Sequence, residues 1–144
     1  MLTQRKKDLA AWDNDTQADF FKFFGTKDDE ARKKILDRID KTYQKLNSFG
    51  LENFEPDDDA YAYVYPDKED TIYLGEGFAD APDIGMNSKA GTLIHEVSHY
   101  NSVGGTEDHE YGIEENIKLA SKSSNKALNN ADSFEYFMET ADIN

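Results

Sequence analysis

The residues with the clearest chemical potential form the run His95-Glu96-Val97-Ser98-His99. Two histidines four positions apart lie on one face of a helix, where both imidazoles can bind a single Zn²⁺ ion. The carboxylate of Glu96 would lie beside that ion and take a proton from a water molecule that the ion binds. The spacing therefore predicts the active-site helix of a metallopeptidase.

A helix surface with two solvated histidines is the alternative interpretation of this run. Apolar Leu93, Ile94 and Val97 share the helix, so we expect it to be partly buried beside a core. A peptidase zinc site also needs a third protein ligand and one open position. The metzincin continuation requires Gly at position 102 and His at position 105, where this chain has Ser102 and Gly105, so that class is excluded.

The third ligand is expected downstream of the two histidines. Asp108 is the best-placed candidate, because the Gly104-Gly105 break can turn the chain back under the metal and a short carboxylate follows it. A glutamate on a later helix is the alternative, and the candidates are Glu114, Glu115 and Glu135.

The elements that must position these residues are mainly helical. Apolar residues at helical spacing predict helices over residues 2–24 in two pieces, 28–47, about 88–101, 112–121 and 131–140. Gly25 should end the second piece, and either Thr26 or Asp28 should cap the next helix. Alternating tyrosines predict a β-hairpin over residues 60–74, whereas residues 53–59 and 75–85 are expected to be loops. We therefore predict one α+β domain over residues 1–144.

Composition limits the class of partner. The formal net charge is −14, hydrophobic residues make up 38% of the chain and there is no cysteine. Such an acidic surface repels nucleic acid and anionic membranes and attracts cationic peptides. No apolar run has the length of a signal peptide or a membrane span. We expect peptide or protein substrates, a monomer, and no nucleic-acid or membrane partner.

The stretch Gly105-Thr106-Glu107-Asp108-His109-Glu110-Tyr111-Gly112 resembles the Gly-Thr-x-Asp-x-x-Tyr-Gly signature of the aspzincins, the deuterolysin and peptidyl-Lys metalloendopeptidase family. Segments that also resemble the family occur at residues 62–66, 71–74, 88–96 and 129–137. The resemblance covers about residues 20–140, and it implies a zincin-like fold with one catalytic Zn²⁺ ion and the small β element at the cleft.

The resemblance also implies a role for each residue that matches the family pattern. His95, His99 and Asp108 become the zinc ligands. Glu96 becomes the general base that activates water and later passes a proton to the leaving amine. Tyr111 matches a tyrosine that stabilises the oxyanion, and a phenol three residues after Asp108 could reach the developing charge. Without the signature, Tyr111 would be interpreted as an ordinary half-buried tyrosine.

Specificity is expected to come from Asp132 and Glu135. An aspartate at the start of a helix is by default a capping residue. In the Lys-specific branch of the family, however, the matching aspartate lies in the pocket for the residue after the scissile bond. Glu135 shares its helix face and could add a second acceptor. The resemblance thus implies cleavage on the N-terminal side of Lys by a secreted zinc endopeptidase.

The same residues are compatible with other functions. A broader deuterolysin-like specificity and a toxin or effector protease domain keep the same chemistry. A zinc-binding interaction domain without catalysis is a third possibility, although it would need neither Glu96 nor Tyr111. One strand of the hairpin could also border the cleft as an edge to which an extended substrate adds by main-chain pairing.

Overall fold

The computed structural model describes residues 1–143, and these residues form a mainly helical α+β structure. The helices are α1 (Leu2–Ala11), α2 (Asn14–Phe24), α3 (Asp29–Asn47), α4 (Glu76–Ala79), α5 (Lys89–Ser98), α6 (Ile113–Lys122), α7 (Ser124–Leu128) and α8 (Ala131–Glu139). The strands are β1 (Phe54–Pro56), β2 (Ala62–Tyr63) and β3 (Ile72–Leu74), and Leu51–Asn53 and Thr140–Ile143 form 3₁₀ turns. None of the helices within residues 1–143 is long and apolar enough to cross a bilayer.

The helix ends follow ordinary capping chemistry. Asp28 rather than Thr26 caps α3, since its side chain accepts a hydrogen bond from the N–H of Ala31. Gly25 ends α2 with φ +72°, a left-handed conformation that suits glycine, as predicted. Ser88 caps α5 and accepts from the N–H of Gly91. These caps fix where the helices begin and end.

Helix α5 ends earlier than the sequence analysis predicted. Its last residue is Ser98, and His99 is the C-cap with φ −69° and ψ −25°. The carbonyl of Tyr100 then accepts hydrogen bonds from the N–H groups of Val103, Gly104 and Gly105, so the chain turns instead of continuing to residue 101. The two histidines still lie one turn apart.

The sheet has the strand order β1-β3-β2. The predicted hairpin is confirmed, because β2 pairs antiparallel with β3, although β2 is only two residues long. The prediction of a loop over residues 53–59 was wrong at β1, which pairs parallel with β3. The prediction of an irregular loop over residues 75–85 was also incomplete, since α4 lies within it. Both elements are short and carry no periodic signal of their own.

The core fixes α5 from two sides. Around the main cluster, α8 contacts α2 and α5, and α3 contacts α5. Its largest buried members are Leu9, Phe20, Phe23, Phe24, Ile35, Ile39, Ile94, Phe134 and Phe137. A second cluster between α5 and the sheet contains Ile72, Val97, Tyr100 and Val103. Helix α5 is therefore held between α8 and the sheet, and its histidines cannot shift without disturbing both clusters.

Candidate active site

The two histidines of α5 converge on one carboxylate. Nε2 of His95 lies 3.0 Å from Oδ1 of Asp108, and Nε2 of His99 lies 3.1 Å from the same oxygen. One ligand atom from each of these three residues lies within 4.8 Å of the other two. Two imidazoles and a carboxylate oxygen form a donor set of the kind that catalytic zinc sites use, so these residues fit Zn²⁺.

Asp108 reaches this position because backbone hydrogen bonds hold the two residues that precede it. Gly105 adopts φ +57°, and the N–H of Thr106 donates to the carbonyl of Ser98 at the end of α5. Glu107 then pairs with the start of α8, where it donates to the carbonyl of Asn129 and accepts from the N–H of Ala131. The chain therefore turns back under α5 and presents Asp108 to both histidines.

The glutamates considered as alternative third ligands lie elsewhere. Glu114 and Glu115 are exposed on α6, where Glu115 accepts a hydrogen bond from Lys118. Glu135 is buried, but it contacts Nδ1 of His95 rather than the nitrogen that faces Asp108. Among these carboxylates, only Asp108 lies between Nε2 of both histidines.

Each histidine has an acceptor on its other ring nitrogen. Nδ1 of His95 lies 3.0 Å from Oε1 of Glu135, and Nδ1 of His99 lies 2.8 Å from the carbonyl of Thr106. With Nδ1 protonated and donating, Nε2 of each ring has a free lone pair for a metal. The contacts thus set both tautomers and hold both ring planes.

The ionisable groups are strongly coupled in the metal-free protein. Burial would lower the pKa of His95, but the neighbouring carboxylates of Asp108, Asp132 and Glu135 raise it well above its ordinary value. Burial would raise the pKa of Asp108, but hydrogen bonds from the two histidines lower it far below its usual range. Protons on the imidazoles therefore balance the carboxylates here, and a metal ion would displace them.

A cavity of about 510 Å³ opens onto this cluster. Its lining residues are Tyr61, Ala62, Asn87, Thr92, His95, Glu96, Tyr111, Asp132 and Glu135. Oε1 of Glu96 lies 4.0 Å from Nε2 of His95, and burial raises the pKa of Glu96 to about 7. The cavity leaves space beside Glu96 for a water molecule and a peptide.

Tyr111 covers one face of His95. The two rings are nearly parallel, with an interplanar angle of 11° and centroids 6.1 Å apart. Burial together with the charge of nearby Asp108 raises the pKa of Tyr111. The hydroxyl therefore stays protonated and can act as a donor at neutral pH, while 61% of the residue remains exposed to the cavity and solvent.

The sequence model of the aspzincin family, described as lysine-specific metallo-endopeptidase, matches residues 9–139. The chain belongs to this family. An extracellular protease of Aeromonas hydrophila is 52% identical over 79 residues, which are 55% of this chain and 23% of that protein. A peptidyl-Lys metalloendopeptidase of Armillaria mellea is 40% identical over 102 residues, 67% of this chain and 29% of that protein. The chain thus spans less than a third of the length of these two relatives.

A solved zinc peptidase from Grifola frondosa has the same aspzincin architecture. The two structures superpose with a TM-score of 0.78 at 32% sequence identity, over 96% of this chain and 87% of that chain. The resemblance read from the Gly-Thr-x-Asp-x-x-Tyr-Gly segment is therefore confirmed, and so is the mainly helical α+β fold with a small sheet.

Asp132 lies in the aspzincin cavity but does not cap α8. The N-cap is Asn130, and Asp132 lies in the first turn, 7% exposed. Its Oδ2 accepts from the N–H of Gly112 and from the amide of Asn116, each at 2.8 Å. Its Oδ1 lies 3.6 Å from Nδ1 of His95, and Asp132 is one of the residues that line the cavity. The default capping interpretation was wrong, because the side chain bonds to another segment.

Asn130 is a supporting residue of this aspzincin site that the sequence analysis missed. It is fully buried, and its Oδ1 accepts from the N–H groups of His109 and Glu110. Its Nδ2 donates to Asn116 and Ser133. Asn130 thereby locks the segment that carries Asp108. The only sequence signal was its place in residues 129–137, which resemble the family but suggested no role for it.

Proposed function

We propose that this chain is a zinc-dependent endopeptidase domain that cleaves peptide bonds on the N-terminal side of lysine. The observation that carries the proposal is the convergence of His95, His99 and Asp108 beside the buried carboxylate of Glu96, on an open cavity. Family membership supports it, since the matching model is described as lysine-specific metallo-endopeptidase. We further propose that residues 1–144 form a single catalytic domain that acts as a monomer.

His95, His99 and Asp108 would hold one Zn²⁺ ion through Nε2, Nε2 and a carboxylate oxygen. The bound ion would polarise the scissile carbonyl and lower the pKa of a water molecule. A second group of donors, formed by His95, Asp132 and Glu135, lies at the other ring nitrogen. Nδ1 of His95 donates there, so this side orients the ring and does not bind the metal.

Glu96 would act as the general base and then as the general acid. Its carboxylate lies on the cavity wall one residue after His95, within reach of a water molecule placed over the scissile carbonyl. It would take the proton of the attacking water and then deliver it to the leaving amine. Tyr111 would donate its O–H to the oxyanion that forms on the carbonyl oxygen.

Lysine preference would come from the acidic end of the cavity. Asp132 and Glu135 line it, and Oδ1 of Asp132 is not used by the donors that hold Oδ2. An ammonium group that enters this buried site gains more from carboxylates than it would at the surface. The A. mellea relative is named as a peptidyl-Lys enzyme, which supports the same preference.

The substrate backbone would pair with β2. This strand is at one edge of the sheet, and Tyr61 and Ala62 line the cavity. An extended peptide could therefore add to the sheet while its side chains enter the cavity. The A. hydrophila relative is named as an extracellular protease, so we propose that this chain also acts outside the cell on proteins or peptides.

The test is to incubate the zinc-loaded chain with a denatured protein mixture, with and without a chelator, and to sequence the new N-termini by mass spectrometry. We expect chelator-sensitive products that begin with Lys. Products with mixed first residues would keep the peptidase and refute the lysine preference. No cleavage by a folded chain with one bound zinc would favour a binding domain. Glu96→Gln is the matched control, since it should bind zinc and produce no new N-termini.

A further inference from the structure

Glu139 is a buried acid that the proposed mechanism does not use. It lies at the end of α8 with no exposed surface. Its Oε2 accepts from the N–H of Ser88 at 2.9 Å and from the hydroxyl of Ser88 at 3.2 Å. A Cβ atom placed on Gly91 would lie 2.0 Å from this oxygen. The carboxyl group of Glu139 therefore packs against the first turn of α5, the helix that carries His95 and His99.

The other oxygen of Glu139 is buried on the face of α8 that also carries Glu135. Oε1 is buried and has no hydrogen-bond partner among the described residues, and Glu135 lies one turn earlier on the same buried face of α8. Two carboxylates can form a hydrogen bond only when one of them carries a proton. Because Ser88 already supplies donors to Oε2, a proton shared with Glu135 would lie on Oε1 of Glu139. Burial and the neighbouring Glu135 raise the pKa of Glu139 to about 8, in agreement with this assignment.

Glu135 connects this proton to the metal site. Its Oε1 accepts from Nδ1 of His95 at 3.0 Å, which leaves Nε2 of His95 for the metal. The contacts therefore run from the N-cap of α5 through Glu139 and Glu135 to the imidazole. A freely rotating Glu135 would lose this contact, because its carboxylate could turn toward the cavity or toward a substrate cation.

We propose that Glu139 is a positioning residue that keeps its proton, donates a hydrogen bond to Glu135 and thereby fixes Glu135 as the acceptor for Nδ1–H of His95. The proposal rests on the proposed zinc site. It explains why a third acid is buried beside Asp132 and Glu135 in a region where every further negative charge is costly. A neutral Glu139 holds its neighbour in place and adds no charge to the lysine pocket.

Two variants of similar size separate this role from simple packing. In Glu139→Gln the amide oxygen can accept from Ser88 while the NH₂ group donates to Glu135, so the variant mimics the protonated acid. Glu139→Met fills the space and donates nothing. By competition with a chelator, we expect Glu139→Gln to bind zinc within about 3-fold of wild type and Glu139→Met to bind about 10- to 100-fold more weakly.

A third variant controls for loss of stability. Ser88→Ala removes the cap of α5 and one hydrogen bond to Glu139, but it leaves the Glu139–Glu135 contact in place. We expect it to lower the melting temperature and to keep zinc affinity within about 3-fold of wild type. Equal zinc affinities of Glu139→Met and Glu139→Gln would overturn the proposal, and so would a Glu139→Gln variant as weak as Glu139→Met.

The proton itself can be observed without activity and without the Met variant. In zinc-loaded wild type at neutral pH, we expect an infrared carbonyl band of a protonated carboxylic acid that is missing in Glu139→Gln. Absence of that band would overturn the proposal. Failure of the zinc site is recognised separately: wild type would not bind one zinc ion, or Asp108→Asn would bind zinc as tightly as wild type.

Discussion

Asp132→Asn tests how the acidic end of the cavity selects lysine. The amide oxygen can replace Oδ2 as the acceptor for Gly112 and Asn116, so the local structure should survive. The NH₂ group then faces the cavity where Oδ1 stood, and the charge is lost. An ammonium about 4 Å from a carboxylate gains about 4 kcal/mol at an effective dielectric constant of about 20.

The net effect should be smaller than this attraction. Burying the ammonium has its own desolvation cost, and Glu135 still offers a negative charge in the variant. We therefore expect a loss of about 2–3 kcal/mol, which is a fall of about 30- to 150-fold in kcat/KM for lysine substrates. Asp132 is only 7% exposed, so solvent screening should not reduce the effect further.

The assay compares two peptides that differ only after the scissile bond, where one has Lys and the other has norleucine. In Asp132→Asn the ratio of kcat/KM for the Lys peptide to kcat/KM for the norleucine peptide should fall by about 30- to 150-fold. The kcat/KM value of the norleucine peptide itself should change by less than about 3-fold. Zinc affinity should hold, since Oδ1 of Asp132 lies 3.6 Å from Nδ1 of His95 and is not its hydrogen-bond acceptor. An unchanged ratio in a zinc-loaded variant would refute the lysine pocket.

Three further outcomes are expected. Tyr111→Phe should keep the ring over His95 and the bound zinc but lower kcat by about 10²- to 10³-fold, measured on the lysine peptide; an unchanged kcat would remove Tyr111 from oxyanion stabilisation. Glu96→Gln should lower kcat by about 10²- to 10⁴-fold with one zinc still bound by elemental analysis. The metal-free protein should lose stability to urea as pH rises from about 4.5 through about 8. The folded-state pKa values of Glu139 and His95 are both raised, so each binds a proton that the unfolded chain has released. Asp108 acts in the opposite direction, because its pKa is lowered in the folded protein. Its stabilising contribution is already fully gained at the lower end of this pH range, so it does not change the trend. Zinc-loaded protein should show a smaller decline, and a rise in metal-free stability over this range would contradict the assignment.

The sequence predicted the parts of the site that depend on local geometry. The positions of His95 and His99 on one helix face follow from their spacing, and the approach of Asp108 follows from a glycine turn nearby. Strand β1 was not predicted because its partner β3 is distant in the sequence: Phe54 pairs with Ile72, 18 residues later. A parallel pairing of three residues leaves no alternation or turn signal in the sequence.

The contact between α8 and α5 could not be predicted from local pattern. Asp132 and Glu135 entered the sequence analysis through the family resemblance, because their distance from His95 depends on how two helices pack. A local signal for their common role was nevertheless present. Asp132, Glu135 and Glu139 are spaced i, i+3 and i+7, so they lie on one face of α8, and all three are buried. Acids at this spacing in an otherwise apolar helix indicate a buried site that requires cations.

The charges of this site then follow from one requirement, that each of its carboxylates has a positive or proton-bearing partner. In the proposed zinc-loaded enzyme, Asp108 has the metal, Glu135 has the N–H of His95, and Glu139 has its own proton. Asp132 is different, because both of its hydrogen bonds come from neutral amide N–H groups and its Oδ1 lies 3.6 Å from Nδ1 of His95. Its charge has no cation bonded to it in the resting enzyme, and it lies on the wall of the substrate cavity. In the proposed enzyme a lysine side chain would supply that cation when the substrate binds. We therefore expect Asp132 to dominate specificity, and not Glu135, which already accepts from Nδ1 of His95.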